Sequence, residues 1–341
     1  MNTTGLDVSD KNTYICTLDN EGGIVERHII PTTPASITKA FKRRARARVI
    51  LEVGPHSRWM HVCLEAAGHE VIVANPAKLP SITRSNRKSD ERDAEHLARL
   101  GRVDIKLLHP VEHRSDSSHV DLLHVRSREV LIGQRTAIIN HIRGVFKANG
   151  TAIPTGTTAA KLGLVAEEVL PPELAPALSP LLKQLSLLRE QIKVYDKAIS
   201  ALVKSLYPDA KLLTTIDGAR DLTAAAFVLT IEDPTRFKDT RDVGAYLGLI
   251  PKRSQSGASD PRLGITKAGD ALLRKLLANC AQYILGPFGK DSALRRWGLK
   301  LAERRGSKKR AAVAVARKLA VIMISMWKSQ QEYKLFPGSA S

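Results

Sequence analysis

Residues 4–30 read TGLDVSDKNTYICTLDNEGGIVERHII, and the polar turn residues within them decide how the N-terminal part folds. Apolar and β-branched residues fill Thr4–Val8, Thr13–Leu18 and Gly23–Ile30, while Asp10-Lys11-Asn12 and Asp19-Asn20-Glu21-Gly22 interrupt them. Short runs separated in this way predict three strands joined as consecutive hairpins. Working outward, Ala35–Arg46 predicts a strongly basic helix that carries Arg43 and Arg44. Arg48–Val53 predicts a buried strand, Ser57–Ala67 a helix and His69–Ala74 another strand. A last helix is predicted from Ser89, a side chain suited to N-capping, to about Leu100.

The resulting order, β-β-β-α-β-α-β-α, is that of a ribonuclease-H-like (RuvC-like) α/β fold, and four acids fall at significant points in it. Asp7 lies in the first strand between Leu6 and Val8. Glu52 lies in the apolar run Val-Ile-Leu-Glu-Val-Gly-Pro, where a lone carboxylate is costly without a partner. Asp90 and Asp93, three residues apart at the start of the last helix, share one face. Functional side chains gather at strand ends in open sheets, and carboxylates converging there suit hard cations such as Mg²⁺, with Mn²⁺ as a substitute. Two ions about 4 Å apart can hold the attacking and leaving oxygens of a phosphoryl transfer. Taken singly, three of the acids have an ordinary alternative, and Glu52 in its apolar strand has the least. Asp90 and Asp93 suit a helix's first turn, and Asp7 can begin a turn with Asp10, itself near enough to serve as a substitute ligand.

Charge narrows the partners. Lys and Arg number 53 against 34 Asp and Glu, a formal net charge of +19 over 341 residues. A protein this basic meets a polyanion, because neutralising phosphates releases condensed counterions. Aromatic residues are only 4%, which argues against extended base-stacking platforms and favours shape and backbone contacts. No run of about 18 apolar residues marks a membrane span, and the first residues lack a signal peptide's basic start and apolar core. Cys16, Cys63 and Cys280 form no zinc spacing and read as buried reduced thiols, which fits a reducing cytoplasm.

The chain divides into three parts: 1–112, a helical coiled-coil linker region over 113–207, and a mainly α part over 208–341. In the second, residues 120–150 predict a long helix bearing Arg126, Arg128 and Arg135, ended by Asn149-Gly150. Prolines between 151 and 180 predict a linker with at most one short helix. Leu181, Leu185, Leu188, Ile192, Tyr195, Ile199, Leu202 and Leu206 then follow a 4-3 spacing, a coiled-coil seam. That seam fits an ordinary hairpin with the 120–150 helix as well as pairing between protomers.

In the third part, Leu212–Gly218 and Leu222–Ile231 predict a helix-turn-helix, able to offer backbone amides to DNA phosphate. Arg236–Pro251 predicts the next helix and its stop. Lys252-Arg253-Ser254-Gln255-Ser256-Gly257 is a polar loop flanked by Lys267-Ala268-Gly269 and Arg274. A serine beside glycine can approach a phosphate closely, and neighbouring Arg or Lys can stabilise the charge in transit. No histidine lies near to serve as base, so a metal site is the candidate activator. Alone, such a loop is more often just a loop. Lys308, Lys309 and Arg310 belong to an exposed basic turn leading into an apolar helix, Ala311–Trp327, and suit phosphate contact.

With these residues in view, the chain resembles the DEDD transposases of insertion sequences, the family also described as bridge-RNA-guided recombinases. The resemblance covers nearly the whole chain. It rests on Gly5-Leu6-Asp7-Val8-Ser9, Leu51-Glu52-Val53-Gly54-Pro55, Lys88-Ser89-Asp90-Glu91-Arg92-Asp93-Ala94, Tyr246-Leu247-Gly248-Leu249-Ile250-Pro251, Gln255-Ser256-Gly257 and Lys267-Ala268-Gly269-Asp270 with Arg274. It implies that Asp7, Glu52, Asp90 and Asp93 are metal ligands. It also implies that Ser256, with Ser254 as runner-up, is a nucleophile forming a transient 5′-phosphoserine link to DNA. Donor and target DNA, a structured guide RNA and a homo-oligomer (dimer or tetramer) follow as implied partners, with nucleoid association when active. One departure is visible: Asp217-Gly218-Ala219-Arg220 stands where the family tends to have a Pro-Gly-Ile-Gly turn. The alternatives are a Holliday-junction-type metal-dependent endonuclease and a non-catalytic nucleic-acid-binding protein.

Overall fold

A computed structural model describes residues 1–79, 90–254 and 263–337. Ser89 and the Gln255-Ser256-Gly257 motif therefore lie outside the described residues. Contacts divide the chain into two compact units, Met1–Arg114 and Ser115–Ser341.

The first unit is built on a five-stranded sheet of β1 (Thr3–Val8), β2 (Asn12–Leu18), β3 (Ile24–Pro31), β4 (Arg48–Glu52) and β5 (Glu70–Ala74). The spatial order is β3-β2-β1-β4-β5, with β2 antiparallel to its neighbours and β1, β4 and β5 parallel. Helices α1 (Pro34–Phe41) and α2 (Ser57–Ala66) cover one face, where Ile37, Phe41, Met60 and Leu64 pack on Leu6, Ile15, Val49, Leu51 and Val73. Alternation along the strands sends Ile50, Ala74, Cys16 and Leu18 to the other face, onto Ala94, Leu97 and Ala98 of α3 (Asp90–Val103). The expected β-β-β-α-β-α-β-α order is the one found.

The basic helix expected to run to Arg46 stops at Phe41. Arg44 turns back instead: its Nε donates to Ala40 O at 2.7 Å, its fork pairs with Glu26 on β3, and its guanidinium lies over the Phe41 ring. These contacts turn the chain into β4.

The second unit is helical. Two long helices, α4 (Asp116–Ala148) and α6 (Ala175–Ser205), run antiparallel with the short α5 (Leu162–Glu168) at one end. There Ile139, Ile142 and Phe146 pack on Leu178, Leu182 and Leu185. At the other end, Leu122 and Val125 join Ile199 and Val203 in the main core. The 4-3 seam is thus buried against α4 of the same chain at Leu185, Leu188, Ile192 and Ile199, while Leu206 is 61% exposed. Helix α6 begins six residues before the expected Leu181, taking Pro176 into its first positions and Pro180 into its body.

Further helices are α7 (Pro208–Leu213), α8 (Asp221–Ile231), the single turn α9 (Val243–Tyr246), α10 (Ala271–Leu285), α11 (Ala293–Arg305) and α12 (Lys308–Ser329). Every residue of α8 from Thr223 to Ile231 is buried, as an all-round apolar helix requires. The expected basic turn before Ala311 is a correction: Ser307 caps α12 at Arg310 N, so Lys308, Lys309 and Arg310 form its first helical turn. All three cysteines are free, and burial raises the thiol pKa of Cys16 and Cys280. Among the described residues, no helix is long and apolar enough to cross a membrane.

Candidate functional site

Strand register brings the acids to one end of one sheet face. Leu6 pairs with Leu51 across parallel β1 and β4, so the next residues, Asp7 and Glu52, stand side by side. Asp7 shares a strand face with Gly5, and Glu52 with Ile50, both facing α3. Helix α3 lies so close that a Cβ on Gly5 would sit 1.9 Å from Ala94 O. It runs against β1: Arg48, opposite Thr3, donates to Gly101 O near the helix's C-terminus, and Glu91 lines a cleft with Tyr14, the partner of Asp7. Asp90 and Asp93 therefore sit at the Asp7 end of the sheet. Asp93 is buried at 7% exposure, Asp7 and Glu52 are half-buried and Asp90 is exposed.

Four carboxylates are a donor set suited to a hard divalent cation. Among the described residues, no three His, Cys, Asp or Glu side chains form a cluster that would hold one. A contact that sequence reading missed fixes the two loops beyond the acids. His56 Nε2 lies 3.0 Å from Asp10 Oδ1, and Trp59 Nε1 donates to His56 Nδ1 at 3.2 Å. With Nδ1 accepting, the ring proton falls on Nε2, which donates to Asp10. The turn after β1 is thus tied to the turn after β4.

A second arrangement involves the motifs around Ser256. Pro251 and Ile265 form an antiparallel bridge, Lys252 N donates to Gly264 O at 2.8 Å, and Thr266 N donates to Ile250 O at 2.9 Å. The main chain is crowded just beyond. A Cβ on Gly248 (φ +66°) would lie 2.2 Å from Ala268 O, and one on Gly269 (φ +74°) 2.1 Å from Tyr246 O. Arg274 fastens the crossing, its Nη1 donating to Leu247 O, Ala268 O and Gly269 O. The Tyr246–Pro251 and Lys267–Arg274 motifs are therefore one module, holding both ends of the segment that contains Ser256. Ser254 is exposed on that segment.

A profile of DEDD transposases of the IS110 type matches residues 4–149, and one described as the IS116/IS110/IS902 transposase family matches 210–297. A candidate transposase of Sinorhizobium fredii is 32% identical over 89% of this chain and 79% of its own length. The chain belongs to the insertion-sequence transposase family. The transposase for insertion sequence element IS1111A of Coxiella burnetii is 28% identical over 97% of this chain and 90% of its own. That for element IS1328 of Yersinia enterocolitica is 31% identical over 67% of each.

In this transposase the first matched span includes all four acids, and the second includes Ser256, Lys267 and Arg274. The predicted nucleic-acid contacts separate into two groups. Arg44 and Arg274 are engaged within the fold as described. Arg126 pairs with Asp270 at 3.3 Å and Arg128 with Asp196 at 2.6 Å. Arg43, Arg253, Lys267, Lys308, Lys309 and Arg310 are exposed, and Arg135 is half-buried with no hydrogen bond to its Nε among the described residues. The departing turn holds Gly218 at φ +89° against Tyr283, and Asp217 Oδ2 accepts from Lys290 N at 2.9 Å. Arg220 gives α8 no side-chain cap, but Asp221 sets a carboxylate in its first turn, which opposes a phosphate there.

Proposed function

We propose that this transposase cuts and rejoins DNA strands by metal-assisted phosphoryl transfer through Ser256. The observation that supports this is that Asp7 and Glu52 stand side by side on adjacent strands with Asp90 and Asp93 at the same end of the sheet, an arrangement in keeping with a ribonuclease-H-like fold. Ser256 Oγ attacks a backbone phosphorus; the Oγ–P bond forms, the P–O3′ bond breaks, and the serine proton passes to the departing 3′ oxygen. A 3′ hydroxyl of another strand then attacks the phosphoserine, restoring the diester and the serine without consuming water. The four acids would hold Mg²⁺ or Mn²⁺, which supplies charge neutralisation at the phosphate.

Around this chemistry we assign a RuvC-like domain to 1–112, a helical linker to 113–207 and a transposase domain to 208–341. Exposed Leu123 and Val130 on α4, and Leu187 and Val194 on α6, each pair seven residues apart, support association of copies along these helices. The exposed cations support binding of donor and target DNA and of a structured guide RNA, in a bacterial cytoplasm.

Supercoiled plasmid carrying the element's ends, incubated with Mg²⁺ and cognate RNA, tests the reading. Nicked DNA attached to a peptide containing Ser256 is the expected product, absent for Ser256→Ala and for Asp7→Ala. Free 5′-phosphate ends, with Ser256→Ala still cutting, would instead make this a plain nuclease. Cleavage surviving both Asp7→Ala and Glu52→Ala would remove the acids from the chemistry.

A further inference from the structure

Asp270 ties the crossing of the Tyr246–Pro251 and Lys267–Arg274 motifs to the long helix α4. It follows Gly269, where the two main chains touch, and its two carboxylate oxygens serve different elements. Oδ1 accepts from Leu273 N at 2.8 Å and caps α10. Oδ2 accepts from Arg126 Nη2 of α4 at 3.3 Å, with the Asp270 side chain only 18% exposed. Further along both helices, Lys275 Nζ of α10 donates to Glu129 Oε1 of α4.

The signs alternate: α4 offers a cation and then an anion, and the start of α10 an anion and then a cation. A slip of about one turn would bring Arg126 towards Lys275, or Glu129 towards Asp270, like against like. The pairs therefore fix where α10 starts along α4. Exposed ion pairs contribute little to stability, so their worth lies in that placement. Arg274 N donates to Asp270 O at 3.2 Å, and the Arg274 side chain holds the carbonyls of Leu247, Ala268 and Gly269. The position of Asp270 thus sets that of the bridged main chain at Pro251 and Ile265, on either side of the segment that contains Ser256.

We infer that Arg126 is a positioning residue for strand cleavage: it anchors Asp270, and through it the crossing that holds the segment containing Ser256. A misplacement of about 1 Å costs such a reaction about 100-fold. The inference rests on the serine reading of the proposed function, and it assigns Arg126 to the fold rather than to a phosphate of bound nucleic acid.

Amide hydrogen exchange of the full-length protein tests the anchor without any chemistry. The Lys252, Thr266 and Lys267 N–H groups bond across the crossing. Their exchange is expected to quicken about two- to fivefold in Arg126→Ala and in Asp270→Asn, the latter keeping a capping side chain. Arg126→Lys, which can still make the single contact, restores the wild-type rate. Single-turnover attachment to nicked DNA, with Mg²⁺ and cognate RNA, is expected to fall about tenfold or more in Arg126→Ala while DNA affinity stays within about twofold. Arg126→Lys recovers attachment, and the double variant loses no more than either single one. Three results overturn the inference: exchange in the crossing equal to wild type, single losses that multiply in the double variant, or DNA affinity that falls with Arg126→Ala and not with Asp270→Asn. The last would make Arg126 a phosphate contact. A wild-type protein that forms no covalent product removes the serine reading, and the exchange rates still decide whether Arg126 holds the crossing.

Discussion

Gly5 on β1 and Ala94 on α3 meet main chain to main chain, with room for no side chain between them: an added Cβ would lie 1.9 Å from Ala94 O and 2.7 Å from Ala98 N. This contact seats the helix that carries Asp90 and Asp93 on the strand that carries Asp7. Overpacking of this kind costs about 1–3 kcal/mol or more. Gly5→Ala is expected to lower the melting temperature by several degrees and to abolish DNA cleavage. Gly133→Ala, on an exposed turn of α4 with nothing near its Cβ, is expected to gain about 0.5–1 kcal/mol. Differential scanning calorimetry of the two variants checks both signs, and a Gly5→Ala protein melting with wild type would refute the close seating.

The proposed metal site predicts a response to divalent cations. Millimolar Mg²⁺ or Mn²⁺ is expected to raise the wild-type melting temperature by mass action, and Asp7→Asn and Glu52→Gln to lose that rise. A cation-induced shift surviving in both variants would remove Asp7 and Glu52 from the ligand set.

Lys267 sits at φ +58°, a left-handed conformation that a lysine adopts at a cost. The other described non-glycine residues in this region, His109, Glu232 and Gln330, each end a helix, where such a conformation is useful. Lys267 ends none, and its exposed side chain makes no ion pair among the described residues. Its N–H donates to Gly248 O at 3.1 Å within the crossing, so the exposed side chain, beside the segment that contains Ser256, is the part left for function. Lys267→Gly is expected to melt at or above wild type and yet to lose most strand cleavage, while Lys267→Arg keeps it. Full activity in the glycine variant would make the lysine incidental.

The Tyr207 phenol donates to Asp121 Oδ2 at 2.6 Å, and burial followed by this carboxylate pushes its pKa up to about 12. In the unfolded chain it ionises near its ordinary value of about 10. The folded form therefore keeps a proton that the unfolded form releases, so stability is fully present below about pH 10 and is lost as pH rises towards 12. Denaturant titrations across this window are expected to show a flatter loss for Tyr207→Phe than for wild type. Parallel profiles would break the link.

The strand runs of the first unit were legible because turn residues bracket them and apolar residues fill them. The acids were legible because they interrupt apolar strands or open a helix. What escaped notice depends on distant partners. Nothing near Phe41 announces that Arg44 will find Glu26 on β3 and end the helix early. The 4-3 seam of α6 was readable as a seam, but the same spacing serves a neighbour in the same chain or in another copy. Gly5 carried a usable signal, since a glycine inside a strand marks a close approach. The crossing at Gly248 and Gly269 joins residues about twenty apart in sequence, and glycine identity alone does not reveal what passes beside it.

The first turn of α12 holds Lys308, Lys309 and Arg310 with no acid among them, at the end of the helix where its dipole is positive. Each cation there is disfavoured by about 0.3–1 kcal/mol. Added salt screens that repulsion and should firm this end of the helix, whereas the same salt returns counterions to DNA and should loosen its grip. One helical turn would thus read ionic strength in two opposed directions, stiffer alone and weaker on its polyanion.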